Sequence, residues 1–263
     1  TTAFCSLNWT RYAILPRIDF LTRTTWLGAL LLAGHVAPAA AQYAAGPTIT
    51  LEAASDERRR GLSWSDGDPV VRGSVSVPVA PGLSLDGAAT TLWGSDRHGG
   101  ADAVLDLGGT YARQLGGLRL TAEGRYHIFP GAADSGEGWG YGEVGAIAGF
   151  SLGPASLDLG ARYAPRQSGI GGDNLYLSSS AAVGIPGTPL TLSGHVGRSS
   201  GDTRNPIRAA RLRPAGNYWD HGVALDWYRG RWSAGLRYAD SDIDAPDTAH
   251  AGATLIARVG LTL

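Results

Sequence analysis

The 263-residue chain holds six His, one Cys and no Met, so few side chains are available for catalysis or soft-metal binding. A nucleophilic hydrolase needs Ser or Cys within hydrogen-bond reach of a base, and a His-x-Ser step supplies both on one strand. None of His98, His127, His195, His221 and His250 has Ser two residues on. Cys5 precedes the expected signal cleavage, so the remainder has no thiol and no disulfide. Asp240, Asp242 and Asp244 start like a calcium loop, yet Ala245 stands where the sharp turn requires Gly and no bidentate Glu follows. The glycine-rich segments lack the strand-to-helix setting of a phosphate loop. No catalytic residue, metal or cofactor is expected.

The chemistry that remains is charge held in a repeating position. Leu118, Leu120, Ala122, Gly124, Tyr126 and Ile128 alternate with Arg119, Thr121, Glu123, Arg125 and His127. A period of two puts these sets on opposite faces of a strand. The pattern recurs over 48–58, 69–79, 83–93, 102–115, 117–129, 139–152, 155–165, 174–185, 188–198, 217–229, 230–241 and 252–263, giving twelve candidate strands. Tight turns at Pro81-Gly82, Gly116-Gly117, Gly153-Pro154, Gly187-Thr188 and Arg229-Gly230 alternate with longer polar segments at 59–68, 96–100, 130–138, 166–172, 199–216 and 242–250. Sorting of short turns to one end and long loops to the other fits a bacterial outer-membrane barrel, whose strands of ~9–11 residues cross the bilayer at a tilt. The expected fold is all-β: a closed antiparallel transmembrane β-barrel of about twelve strands, with short periplasmic turns and longer extracellular loops.

Hydrocarbon offers a charged side chain no partner, so the apolar rows must face lipid and the charged rows the lumen. Val71, Val75, Val77 and Val79 then point out, as do Leu157, Leu159 and Tyr163, and Leu255, Ala257, Val259, Leu261 and Leu263 of the last strand. The expected pore lining carries Glu52, Asp56, Asp86, Asp106, Glu123, Glu143, Asp158 and Asp226 against Arg58, Arg72, Arg119, Arg125, Arg162, Arg237 and Arg258. Neither sign dominates, and such mixed rows form Arg-carboxylate ladders that stiffen the wall. Twelve strands enclose a lumen far narrower than that of a 16-stranded porin, so a small or gated pore follows. Aromatic residues gather near strand ends, with Trp93, Tyr126, Tyr163, Trp219 and Tyr238 at the outer boundary and Tyr111, Phe150, Trp227 and Trp232 at the inner one.

Composition agrees with this reading. With 43% hydrophobic residues, 17% charged and a net charge of -1, the chain is neither disordered nor built to grip nucleic acid. Beyond residue 42 no apolar run approaches the ~20 residues a helical span needs. Arg17 and Arg23 precede the apolar stretch from Trp26 to Ala33, and Ala39, Ala40 and Ala41 supply small residues for cleavage. Residues 1–41 are therefore expected to be an N-terminal extension with a secretory signal, and 42–263 the barrel, exported to the periplasm and inserted in the outer membrane.

The stretch Ser55-Asp56, Arg60-Gly61-Leu62-Ser63, Asp66-Gly67-Asp68-Pro69-Val70-Val71 and Leu92-Trp93-Gly94-Ser95 resembles the TorF-type porin family of proteobacteria. The family usually has aromatics where this chain has Glu57 and Arg59, so the first loop is more charged than that pattern. The resemblance implies an outer-membrane channel of undefined substrate.

The reading that follows is a narrow channel for small hydrophilic solutes. The alternative is a barrel that only anchors adhesin-like surface loops, with an outer-membrane hydrolase behind both. Expected partners are outer-membrane lipid and lipopolysaccharide, the barrel-assembly machinery acting on the C-terminal strand, and the solute. In the longest loop Asn205 is placed to cap a short helix from Pro206, with Ile207 and Leu212 as its apolar residues. Arg204, Arg208 and Arg211 then share a face and are expected to pair with Asp240, Asp242 and Asp244 of the next long loop as a lid over the pore.

Overall fold

The computed structural model describes residues 46–133, 138–244 and 250–263. The expected signal over 1–41 lies outside them. Strand β1 (Thr48–Ala54) leads into a two-strand hairpin, β2 (Arg58–Arg59) and β3 (Leu62–Ser63). Eleven strands follow: β4 (Val70–Ala80), β5 (Leu83–Ser95), β6 (Ala101–Leu115), β7 (Leu118–Ile128), β8 (Tyr141–Leu152), β9 (Ala155–Gln167), β10 (Gly172–Gly184), β11 (Leu190–Ser200), β12 (Tyr218–Arg229), β13 (Trp232–Ser241) and β14 (Thr254–Thr262). A single helical turn, α1 (Pro206–Ala209), interrupts the loop before β12.

Twelve of these strands close into one antiparallel barrel in which chain neighbours pair and β1 joins β14 to β4. Leu51 stands opposite Leu261 on one side and Gly73 on the other. Closure gives each of the twelve barrel strands a paired neighbour on both sides, the condition hydrocarbon imposes on any sheet. The five short turns hold Gly82, Gly116, Gly153, Gly187 and Gly230 at positive φ, the conformation a tight connection demands. The long connections all gather at the other end, called here the loop end.

The outward rows fall as the alternation requires. Val71, Leu120, Leu159, Val223, Leu255 and Val259 are all exposed on the barrel exterior, and this apolar surface is what a bilayer would cover. Of the expected girdle residues, Trp93, Tyr126, Tyr163, Trp219 and Tyr238 near the loop end and Tyr111, Phe150 and Trp232 near the turn end are exposed, while Trp227 is half-buried.

The largest departure from the expected strand bounds is at β1. β1 ends at Ala54 instead of running to 58, because the chain turns into the barrel there and Asp56 anchors the turn. The Asp56 carboxylate accepts from Ser63 Oγ at 2.5 Å, Ser65 Oγ at 3.1 Å and Arg58 Nε at 3.0 Å. Asp56 and Arg58, both expected on the barrel wall, thus belong to the hairpin that enters the lumen.

Candidate functional site in the barrel lumen

The β2–β3 hairpin turns at Arg60 and Gly61, both at positive φ, which is the two-residue geometry compatible with strand twist. Glycine is needed at the second position for space as well as for φ, since a Cβ on Gly61 would lie 2.7 Å from Cβ of Asp220. The tip is tied down by Tyr218, whose hydroxyl donates to the Arg60 carbonyl at 2.8 Å. Arg58 Nη1 donates to the carbonyls of Gly61 and Gly252 at 3.0 and 2.7 Å.

Two guanidinium groups of the hairpin reach wall carboxylates. Arg59 donates to both oxygens of Asp106, at 3.3 and 3.0 Å, and to Glu57 at 2.8 Å. Arg60 Nη2 meets Glu143 at 2.5 Å. Burial works against both charges, yet the facing carboxylates outweigh it and hold Arg59 and Arg60 above their ordinary range. Each cation also stacks on an aromatic ring, Arg59 over Trp64 at 4.2 Å and Arg60 over Tyr176 at 4.8 Å.

Above this layer the loop end is packed like a soluble core. Trp64, Leu92, Val104, Phe129, Tyr141, Ile170 and Leu212 form one buried cluster, and Leu62, Tyr218, Ile243 and Ala251 a second. His98 lies between Trp64 and Phe129, at 4.4 and 4.6 Å between ring centroids. Arg211 crosses over Phe129 and Trp139 and donates to the carbonyls of Trp139 and Gly169 and to His98 Nδ1. Burial brings Arg211 down to about 10. Arg213 knits the long loop to β10 through the carbonyls of Gly201, Asp173 and Asp202.

Burial first, then the charges of Arg211 and Arg97, push the His98 imidazole well below its usual value, so it stays neutral. Unfolded His titrates near ~6.5; below that pH the unfolded state takes a proton the folded cap refuses, and stability falls as pH drops. The melting transition followed by tryptophan fluorescence should therefore shift down between pH 7 and pH 5. In His98→Gln the shift should be smaller, and equal shifts in both proteins would contradict this account of the cap.

The expected lid is arranged differently. Asn205 does cap α1, its side chain accepting from the Arg208 backbone amide at 3.2 Å, and Leu212 is buried, but Ile207 is exposed. Arg208 and Arg211 turn into the barrel, where Arg208 lies 3.8 Å over Trp139, and Arg204 stays at the surface. Asp240 instead accepts from the Tyr238 hydroxyl and the Ser241 amide, Asp242 caps the Trp219 amide, and Asp244 is exposed. Aromatic surface inside the mouth outcompetes a solvated ion pair for the Arg side chains, because exposed pairs are individually weak.

Below the hairpin the wall shows the expected ladders. Arg162 bonds Glu123, and Arg258 bonds Asp226 at 2.8 Å and approaches Glu52 at 3.6 Å. Asp86 accepts from Ser76 and Thr110, while Arg72 donates to Thr90 and sits 3.6 Å from Asp106. Arg119 and Asp158 line a recess of about 370 Å³ with Thr121, Ser178 and Ser180. Arg237 is half-buried on β13, opposite Ala224 and Ile256. Sequence reasoning missed Arg59, Arg60, Trp64 and His98. The run Arg58-Arg59-Arg60-Gly61 followed by Leu62 and Trp64 was the signal, a turn with apolar residues inside a nominally polar loop.

A closed twelve-strand barrel with an apolar exterior and a charged, laddered lumen defines the porin-like class of fold. The chain belongs to the family described as "Bacterial protein of unknown function (Gcw_chp)", which matches residues 38–260. No curated protein matches it. Among solved structures it is similar to the NanC porin, at 11% identity over 81% of this chain and 98% of that one with a TM-score of 0.55. It is also similar to the KdgM porin, at 10% identity over 82% and 97% with a TM-score of 0.52. These likenesses concern the fold.

Proposed function

We propose that the protein is a narrow, gated channel of the bacterial outer membrane that passes small hydrophilic solutes. The observation that carries this reading is a polar lumen that continues beneath the hairpin. It holds a recess of about 290 Å³ lined by Thr48, Arg72, Ser74, Asp86 and Arg125, and a second of about 250 Å³ beside Ser84, Thr110 and Arg119. Polar space of this extent has no use in a barrel that serves only as an anchor. The inward folding of residues 55–69 and of Arg208 and Arg211 also withdraws side chains that an adhesive surface would present.

The exposed apolar rows support residence in lipid, and the alternation of β14 supports delivery by the barrel-assembly machinery after export. The TorF-type resemblance of the N-terminal stretch favours the same reading. Purified protein in liposomes should admit small sugars and amino acids slowly and exclude oligosaccharides in a swelling assay. Absence of flux for every solute, with heat-modifiable folded barrel present, contradicts a channel.

A further inference from the structure

β7 and β8 pair in a register that sets Arg125 directly opposite Glu143. Neighbouring opposite charges on one face of a sheet ordinarily bond. Here they do not, because the Glu143 carboxylate is engaged by Arg60 of the hairpin. Arg125 is left without a hydrogen bond or ion pair among the described residues. It faces a cavity of about 270 Å³ directly under the hairpin, whose lining includes Arg59, Arg60, Arg125 and Arg162 but Glu143 as its carboxylate. Arg59, Arg60 and Arg162 are each neutralised by a wall carboxylate, so the surplus charge in this space belongs to Arg125.

One further polar atom there lacks a partner, since Arg60 Nη1 is buried without a hydrogen bond. His127 sits between the two wall carboxylates, with Nδ1 2.6 Å from Asp106 and Nε2 3.6 Å from Glu143. Buried polar groups without partners call for an explanation, and a bound solute is one. We propose that this cavity is a binding station for a small oxyanion, a carboxylate or phosphate, anchored by Arg125 with Arg60 Nη1 as second donor. The station is assembled by the docked hairpin, since withdrawing Arg60 returns Glu143 to Arg125. The inference rests on the lumen being a solute path, as proposed above.

Calorimetric titration of the folded full-length barrel in detergent tests it, using gluconate, inorganic phosphate and glucose as probes. The expected result is binding of gluconate or phosphate, no binding of glucose, and at least a tenfold loss in Arg125→Gln. Arg229→Gln, which removes the same charge at the turn-end tip of β12, should bind as the parent does. If Arg125→Gln does not fold, Arg60→Ala serves instead, and should also weaken anion binding because Glu143 is freed. Glucose binding equal to gluconate, no anion binding at all, or unchanged affinity in the folded Arg125 or Arg60 variant overturns the proposal. Solute flux without anion binding sinks the station and spares the channel, whereas anion binding without any flux does the reverse.

Discussion

The double variant Arg59→Ala, Arg60→Ala is expected to raise the open probability of the reconstituted barrel by about two orders of magnitude. Both guanidinium groups sit in partly dry pairs with Asp106 and Glu143, whose side chains are only 5% and 8% exposed. Removing one partner of a buried pair costs ~3 kcal/mol or more, and ~1.4 kcal/mol is a factor of ten in population. The cost falls on the docked state alone, because in the undocked state the Arg side chains are in water. Arg72 and the His127 ring remain beside Asp106, at 3.6 and 2.6 Å, so that wall carboxylate keeps partners. Single-channel records from the double variant with dwell times equal to those of the parent would show that these pairs do not hold the hairpin.

The second large effect separates the two faces of the wall. Leu120 and Leu159 stand exposed on the exterior, at 42% and 48%, while Thr121 lines the recess with Arg119 and Asp158. Leu120→Arg or Leu159→Arg should destabilise the inserted barrel by ~2–4 kcal/mol if those positions lie near mid-bilayer. Thr121→Arg places the same charge in a wet lumen and should cost far less. Reversible unfolding in lipid vesicles measures both, and equal penalties would reverse the assignment of inside and outside.

Most of the barrel was legible in the alternation. β7 occupies 118–128, where Leu and Arg trade places residue by residue, and the five turn glycines marked the turn end. A period of two is local information, and twelve strands of it leave closure as the way to pair every edge. The hairpin was not legible in the same way. From Ser55 to Asp68 the composition is that of a solvated loop, and only the finished barrel brings Asp106 and Glu143 to where Arg59 and Arg60 can reach them. The α1 cap at Asn205 was readable because a cap is local. What Arg208 and Arg211 face was not, since Trp139 and Phe129 come from another loop and strand end some seventy or more residues away.

In the proposed channel the hairpin is the obstruction in the lumen. Single-channel recording in planar bilayers, comparing the natural chain with one in which residues 57–67 are replaced by a flexible Gly-Ser linker, tests this most directly. The account predicts brief, rare openings from the natural chain and a sustained open current from the replaced one, with both barrels equally heat-modifiable. Absence of current from a folded barrel lacking the hairpin would contradict it.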